Sequence, residues 1–160
     1  MIPEFVRAWN ENHEELEEYL RITPQNMYDE YNILVKLLFN RCINPYLSKI
    51  GKNTFDTNDM TEIDYGDYQG TLIFILHEDS YQPSTNQHVY THNYYGSCSG
   101  CDTLMGIHNY EDGLPNEEQI SDYMMLLLQL LQHCHMFDDS ISGYELNGYT
   151  IIPKTPNNGV

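Results

Sequence analysis

The chain has 160 residues, a hydrophobic content of 41% and a formal charge of −17 at pH 7. Its length suits one domain with a real core, and its 14 Tyr and 5 Phe exclude wholesale disorder. No Lys or Arg lies between Asn53 and Pro153; the seven basic residues are Arg7, Arg21, Lys36, Arg41, Lys49, Lys52 and Lys154. Direct binding of nucleic acid, phosphate or anionic lipid needs Lys or Arg. The sequence therefore argues against these partners for two thirds of the chain.

Two amphipathic helices are predicted in the first 50 residues. The first covers 3–20, with a proline in its first turn and apolar side chains near helical spacing. The second is predicted to start with Thr23 as its N-cap and to end near Asn44, because the residue before Pro45 avoids the helical region. Its apolar stripe consists of Met27, Tyr31, Leu34, Val35, Leu38 and Cys42.

The middle of the chain predicts an antiparallel meander. Residues 62–68 alternate weakly, 71–77 are a continuous apolar run, and 88–95 alternate and end in aromatic side chains. A short turn or helix is predicted over 103–107, with Asp102 as its cap.

A central helix is predicted from 116 to 136, with an acidic first turn that suits the helix dipole and apolar positions on nearly every side. A final strand is possible over 143–152, followed by a flexible tail over 153–160. The order of elements indicates an α+β fold, in which an antiparallel sheet of about three to five strands packs against two N-terminal helices and this central helix.

The predicted domain organisation is simple. A single domain is expected over 1–152. It consists of a helical part (1–50) and an acidic, β-rich part (51–152). If the molecule has two functional faces, the boundary between them is expected near Lys52.

Cys98 and Cys101 form a Cys-x-x-Cys motif that leaves three interpretations open. They could supply half of a tetrahedral zinc site, completed by His133, Cys134 and His135, with His108 as a further candidate. They could be a redox pair in which one thiol has a lowered pKa. They could also be structural, because small residues allow a tight turn and a cysteine fills space as a small apolar group.

Two motifs occur together in the β-rich part: DYGDYQG at residues 64–70 and YGSCSGCD at residues 95–102. This pairing resembles a scattered group of small, mostly uncharacterised proteins, many of them carried by bacteriophages, over residues 62–107. The resemblance implies a small intracellular protein that is phage-encoded. It carries over no functional residue.

An acidic, tyrosine-rich surface is the composition expected of a protein that binds another protein. The sequence therefore predicts a non-enzymatic interaction protein that blocks the nucleic-acid-binding surface of a basic partner, such as a host restriction or CRISPR protein. The predicted contact residues are Asp56, Asp59, Glu62, Asp64, Tyr65, Asp67, Tyr68, Glu111, Asp112, Glu117, Glu118 and Asp122.

Two other functions stay open at this point. One is a zinc-stabilised module or metal-dependent enzyme built on Cys98 and Cys101; without such a site no cofactor is expected. The other is a small-ligand binder for a nucleotide signal. No signal peptide or membrane-spanning segment is visible, so the cytoplasm is the expected compartment.

Overall fold

The first helix, α1, spans Pro3–Ile22 in the computed structural model, which describes residues 2–137 and the backbone of 144–146 and 149–151. The predicted helix is thus confirmed, and it runs two residues further than expected. Thr23 is not the N-cap of the next helix. It ends α1 instead, since its N–H bonds the Leu20 carbonyl and its hydroxyl donates to the Tyr19 carbonyl at 2.5 Å.

The second helical segment begins at Tyr31 and continues past Pro45. It consists of α2 (Tyr31–Leu38), a π-helical turn (Phe39–Ile43) and α3 (Asn44–Lys49). A proline lacks an N–H and crowds the carbonyl four residues earlier. The wider π turn accommodates it, because the N–H of Asn44 bonds the carbonyl of Phe39, five residues earlier. The predicted helix end before Pro45 is therefore wrong, and so is the start at Thr23.

The sheet has four antiparallel strands in the order β1-β2-β3-β4, which confirms the predicted α+β fold. They are β1 (Thr61–Asp67), β2 (Gln69–His77), β3 (His88–Tyr95) and β4 (His135–Met136). Helices pack on one face, where the hydroxyl of Thr91 donates to the Leu130 carbonyl at 2.7 Å.

The DYGDYQG motif is the tip of the β1–β2 hairpin. Tyr68 occupies the turn with a φ of 55°, and Gly66 lies opposite Gly70. A Cβ added to Gly70 would lie 2.2 Å from the Tyr65 carbonyl oxygen, and one added to Gly66 would lie 2.2 Å from the Gln69 carbonyl oxygen. The strands approach so closely that neither position accepts a side chain.

Two helices follow the third strand. The short α4 (Thr103–His108) has the predicted cap, because Asp102 accepts the Met105 N–H. The central α5 (Glu117–Gln132) opens with a capping box between Asn116 and Gln119. It ends four residues before the predicted 136, because His135–Met136 leave the helix and pair with β3 as β4.

One large hydrophobic cluster is shared by the helical and β-rich parts. It joins Phe5 and Phe39 from the helices to Phe74, Val89 and Leu127. A smaller cluster on the other face of the sheet contains Ile73, Tyr90 and Phe137. Among the described residues, no helix is both long enough and apolar enough to cross a bilayer.

The predicted final strand over 143–152 is two strands. β5 (Tyr144–Leu146) and β6 (Tyr149–Ile151) pair antiparallel with each other and form a separate two-stranded sheet. The remainder of that predicted strand and the predicted tail over 153–160 lie outside the described residues.

Candidate protein-binding cleft

An acidic cleft of about 430 Å³ opens between the β1–β2 hairpin, the start of α2 and the turn after β3. Its floor is apolar and contains Leu72, Leu104 and Met105. Five carboxylates line it: Asp29, Glu30, Glu62, Asp64 and Asp102. We call this feature the acidic cleft.

The hairpin supplies two of the five carboxylates, Glu62 and Asp64, from its edge strand β1. Side chains two apart on a strand share a face, so Glu62 and Asp64 point to the same side of the sheet. Their partners in β2 are Phe74 and Leu72, which pack into the large core. Glu62 and Asp64 therefore lie on the helix-bearing face, at the edge where the cleft replaces the helical layer.

Asp102 holds the opposite wall in place. Its Oδ1 accepts the Met105 N–H and its Oδ2 accepts the Gly96 N–H, both at 2.9 Å. The Asp102 side chain is buried, so both oxygens are committed to the fold. Its negative charge still contributes to the potential in the cleft, while its geometry is structural.

Tyrosine hydroxyls connect the walls. Tyr95 donates to Asp64 Oδ1 at 2.6 Å, and this hydrogen bond raises the pKa of Tyr95 to about 12. The hydroxyl oxygen of Tyr31 accepts the Leu104 N–H at 3.1 Å, which ties the start of α2 to α4.

The cleft carboxylates interact unfavourably with one another. Burial raises the pKa of Glu62, and the charges of Glu30 and Asp64 raise it further, while Lys36 lowers it. Burial also raises the pKa of Asp29. None of the five carboxylates forms an ion pair with a described residue. A bound cation would relieve this repulsion, so the cleft is suited to a positively charged group.

The residues predicted near the hairpin divide between three places. Glu62 and Asp64 line the acidic cleft, and Asp67 and Tyr68 stand exposed at the hairpin tip beside it. Tyr65 lies half-buried on the other face of the sheet.

Two further predicted contact residues, Asp56 and Asp59, precede β1 in the chain. Asp56 accepts the N–H of Asn58 at 2.8 Å. Asp59 pairs with the Nε2 of His77 at 3.0 Å. Both are therefore partly occupied by contacts within the chain.

The residues predicted around α5 lie outside the acidic cleft. Asp112 accepts the Met27 N–H, and Glu117 pairs with Arg21. Glu111, Glu118 and Asp122 are exposed and make no such contact within the described part of the chain. Pairing of Gln25 with Gly113 joins this loop to the segment that leads into the acidic cleft.

Sequence reasoning missed Asp29, Glu30 and Asp102 as cleft residues. The predicted second helix places Asp29 and Glu30 in its interior, whereas Glu30 is the N-cap of α2. An acidic pair directly before an apolar helical stripe is typical of a helix start, and this signal could have located them. The sequence predicts Asp102 only as the cap of α4.

The five predicted metal ligands do not form one site. Cys98 and Cys101 are exposed on the turn after β3, whereas Cys134 is buried and its thiol donates to the Leu130 carbonyl at 3.3 Å. Within the described part of the chain, no group of three or more His, Cys, Asp or Glu is placed to hold a metal ion. His133 and His135 lie beside the Tyr90–His92 part of β3, away from the Cys-x-x-Cys turn. The predicted combination of ligands is therefore not assembled.

His133 packs against another histidine instead. Its ring stacks on His92 with centroids 4.3 Å apart, and its Nδ1–H donates to the His92 carbonyl at 3.0 Å. The Nδ1 of His92 is buried without a hydrogen-bond partner among the described residues. Burial, together with the nearby His133 and His135, lowers the pKa of His92 to about 4.

We expect His92 to make the protein acid-sensitive. An unfolded histidine has a pKa near 6.5, whereas folded His92 has a pKa of about 4. Between these pH values, the unfolded state binds a proton that folded His92 does not bind. Stability present above pH 6.5 is therefore lost as the pH falls. Allowing for partial exposure of the ring, the loss is about 1 kcal/mol. Urea unfolding at about pH 7 and about pH 5 measures it.

The variant His92→Phe keeps the stacked ring and removes the titration. Its free energy of unfolding should depend less on pH than that of the unmodified protein. His13→Phe, the same replacement on α1, is the control for exchanging a histidine for a phenylalanine. Equal pH dependence in the unmodified protein and His92→Phe would contradict the assignment.

A second cavity of about 380 Å³ lies between the end of α1, α2 and α5. Arg41 lines it, and its guanidinium stands 3.9 Å from the centre of the Tyr19 ring. Asp29 also lines this cavity, so an anionic ligand would meet a carboxylate there. The small-ligand function stays a prediction.

No protein-family model, curated protein or solved structure matches this chain. The resemblance of its two motifs to phage-borne proteins therefore stays a prediction.

Proposed function

We propose that this chain is a non-enzymatic interaction protein that binds a basic protein and thereby occupies its nucleic-acid-binding surface. The observation that carries the proposal is the acidic cleft, where carboxylates that form no ion pair with a described residue surround an apolar floor.

The chemistry of the cleft fits the side chain of Arg or Lys. Both carry a charged head on an aliphatic stem, and the stem packs on apolar surface while the head stays near polar groups. Leu72 and Leu104 would contact the stem, and Glu30 and Glu62 would receive the charge. Arg is the better fit of the two, because its planar guanidinium pairs with carboxylates in a bidentate manner.

Exposed residues around the acidic cleft would contact more of a basic partner than one side chain. Asp67 and the 87% exposed Tyr68 project from the hairpin tip. The surface that binds nucleic acid in a partner is rich in Lys and Arg. A folded array of carboxylates can compete with phosphates for it, because complementary potentials steer the two proteins together.

The class of partner that we propose is a host defence protein, such as a restriction or CRISPR effector. This part rests on the resemblance of the hairpin and Cys-x-x-Cys motifs to phage-borne proteins. Defence proteins of these kinds act on nucleic acid and therefore carry a basic binding surface.

The proposal predicts a steep dependence of binding on salt. The tagged chain should capture a basic nucleic-acid-binding protein from bacterial lysate at about 50 mM salt and lose most of it at about 200 mM. The captured protein, once purified, should release labelled DNA or RNA when the chain is added, as measured by fluorescence anisotropy. Capture that is unchanged between the two salt concentrations, or a partner that keeps its nucleic acid, would contradict the proposal.

A further inference from the structure

The four cysteine thiols divide into two classes. Cys42 and Cys134 are buried, and burial raises the pKa of each to about 12, so neither is a nucleophile at neutral pH. Cys98 and Cys101 are exposed and belong to one turn. Thiol chemistry on the folded protein is therefore directed to this pair.

The turn holds the two cysteines at a separation suited to a disulfide. The N–H of Cys101 donates to the Cys98 carbonyl at 3.0 Å, which closes a β-turn. Such a turn keeps its first and last Cα atoms within about 7 Å of each other, and disulfides join Cα atoms about 4.4–6.8 Å apart. Little backbone movement is needed to connect the two sulfur atoms.

The base of the turn is closed by close backbone contact. A Cβ added to Gly96 would lie 2.5 Å from the Cys101 carbonyl oxygen. The Gly96 N–H also donates to Asp102, the residue that caps α4. These contacts hold the strand end and the helix start together, so the cysteines stay adjacent in the reduced protein.

The turn also distinguishes the two thiols from each other. The Sγ of Cys101 accepts the backbone N–H of Cys98 at 2.9 Å, a contact that stabilises negative charge on that sulfur. A hydrogen bond from the Cys98 thiol is the largest cause that lowers the pKa of Cys101, and contacts with Ser97 lower it as well. The turn therefore favours the thiolate of Cys101, which is the nucleophilic form.

We propose that Cys98 and Cys101 form a reversible dithiol–disulfide couple in which Cys101 is the attacking thiolate. The oxidant is a low-molecular-weight disulfide such as oxidised glutathione. The Cys101 sulfur attacks one glutathione sulfur and expels the other as a thiolate. Cys98 then loses its proton and attacks the Cys101 sulfur, which expels the second glutathione. Two electrons and two protons pass from the protein to form two molecules of glutathione.

This couple does not depend on the proposed binding function. Its chemistry involves the turn alone, and every readout below is made on the isolated full-length chain. Failure of the couple would leave the acidic cleft unaffected, and failure to find a basic partner would leave the couple standing.

The test is equilibration of the intact protein in buffers of varied reduced-to-oxidised glutathione ratio, with a metal chelator present. We expect the chain to lose two hydrogen atoms in mass as the buffer becomes oxidising, with peptide mapping that joins Cys98 to Cys101. Addition of reductant should restore the reduced mass. A chain that keeps all its thiols free in the most oxidising buffer, or forms only disulfides between two chains, would overturn the proposal.

Single variants test the roles of the two thiols. Because both side chains are exposed, Cys98→Ser and Cys101→Ser are expected to fold, as circular dichroism can verify. Cys98→Ser should accumulate a mixed disulfide between Cys101 and glutathione. In the reduced unmodified protein, iodoacetamide should label Cys101 roughly tenfold faster than Cys98 at neutral pH. Equal labelling rates would overturn the assignment of Cys101 as the attacking thiol.

Discussion

Gly70→Ala is expected to lower the free energy of unfolding by about 2–3 kcal/mol. The added Cβ would lie 2.2 Å from the carbonyl oxygen of Tyr65, a distance that atoms in a folded protein do not adopt. The neighbouring group is backbone, so no side chain can rotate away. Relief requires β1 and β2 to separate at the tip, where Gly66 pairs with Gly70.

Gly100→Ala is the matched control. A Cβ at Gly100 would meet nothing within 4 Å, and the same chemical change is made there. Its effect should stay within about 0.5 kcal/mol. Urea unfolding of both variants gives the comparison. Similar stabilities of the two variants would contradict the prediction, because they would show that β1 and β2 separate at the tip at little cost.

Separation of the strands at the hairpin tip should also change the geometry of the acidic cleft. Asp64 lies two residues before Gly66, and its carboxylate is held by the Tyr95 hydroxyl. Separation of the strands would displace this carboxylate relative to Asp102 across the cleft. Gly70→Ala should therefore weaken binding of a basic partner even under conditions where most molecules are folded.

The double variant Glu30→Gln/Glu62→Gln should bind an Arg-rich peptide about 100-fold more weakly than the unmodified protein. Close charge pairs across an interface contribute about 1.5 kcal/mol or more each, and two such pairs would be lost. Isothermal titration calorimetry at low salt measures the affinity directly.

The same variant should be slightly more stable than the unmodified protein. Glu62 has a raised pKa because burial and the charges of Glu30 and Asp64 oppose its ionised form. Its charge therefore costs stability above the folded-state pKa, and this cost is relieved as the pH falls. Replacement by glutamine removes it, with an expected gain of about 0.5 kcal/mol for a partly exposed site. Weaker binding together with higher stability is the pattern expected of a binding site rather than of a structural contact.

Glu14→Gln/Glu15→Gln is the control for overall charge. Both residues are exposed on α1, and the variant changes the net charge by the same amount. It should reduce affinity far less than the cleft variant. Equal losses in the two variants would show that total charge, and not the acidic cleft, determines binding.

Local signals in the sequence located most of the secondary structure. The helix at Pro3–Ile22, the strand at His88–Tyr95 and the cap at Asp102 follow from spacing and capping within a few neighbouring residues. Two of the errors arose where distant contacts decide. The helix after Met27 starts late because the preceding segment pairs with Gly113, and α5 stops early because His135–Met136 pair with β3.

The candidate site was only half visible in the sequence. Glu62 and Asp64 belong to a strand whose alternation is apparent, so their common face could be deduced. The face that the helices cover could not be deduced, because it depends on packing between residues far apart in the chain. Asp29 and Glu30 reach the same cleft from more than 30 positions away, and only the tertiary contacts of Tyr31 and Leu104 bring them there.

The sequence by itself determined the charge of this protein and where that charge can be. A stretch without Lys or Arg cannot neutralise its own carboxylates locally, whatever fold it adopts. The tertiary structure decided which of those carboxylates act together. Repulsion and burial depend on distances in space, and the placement of the β1–β2 hairpin, α2 and α4 around one core sets those distances.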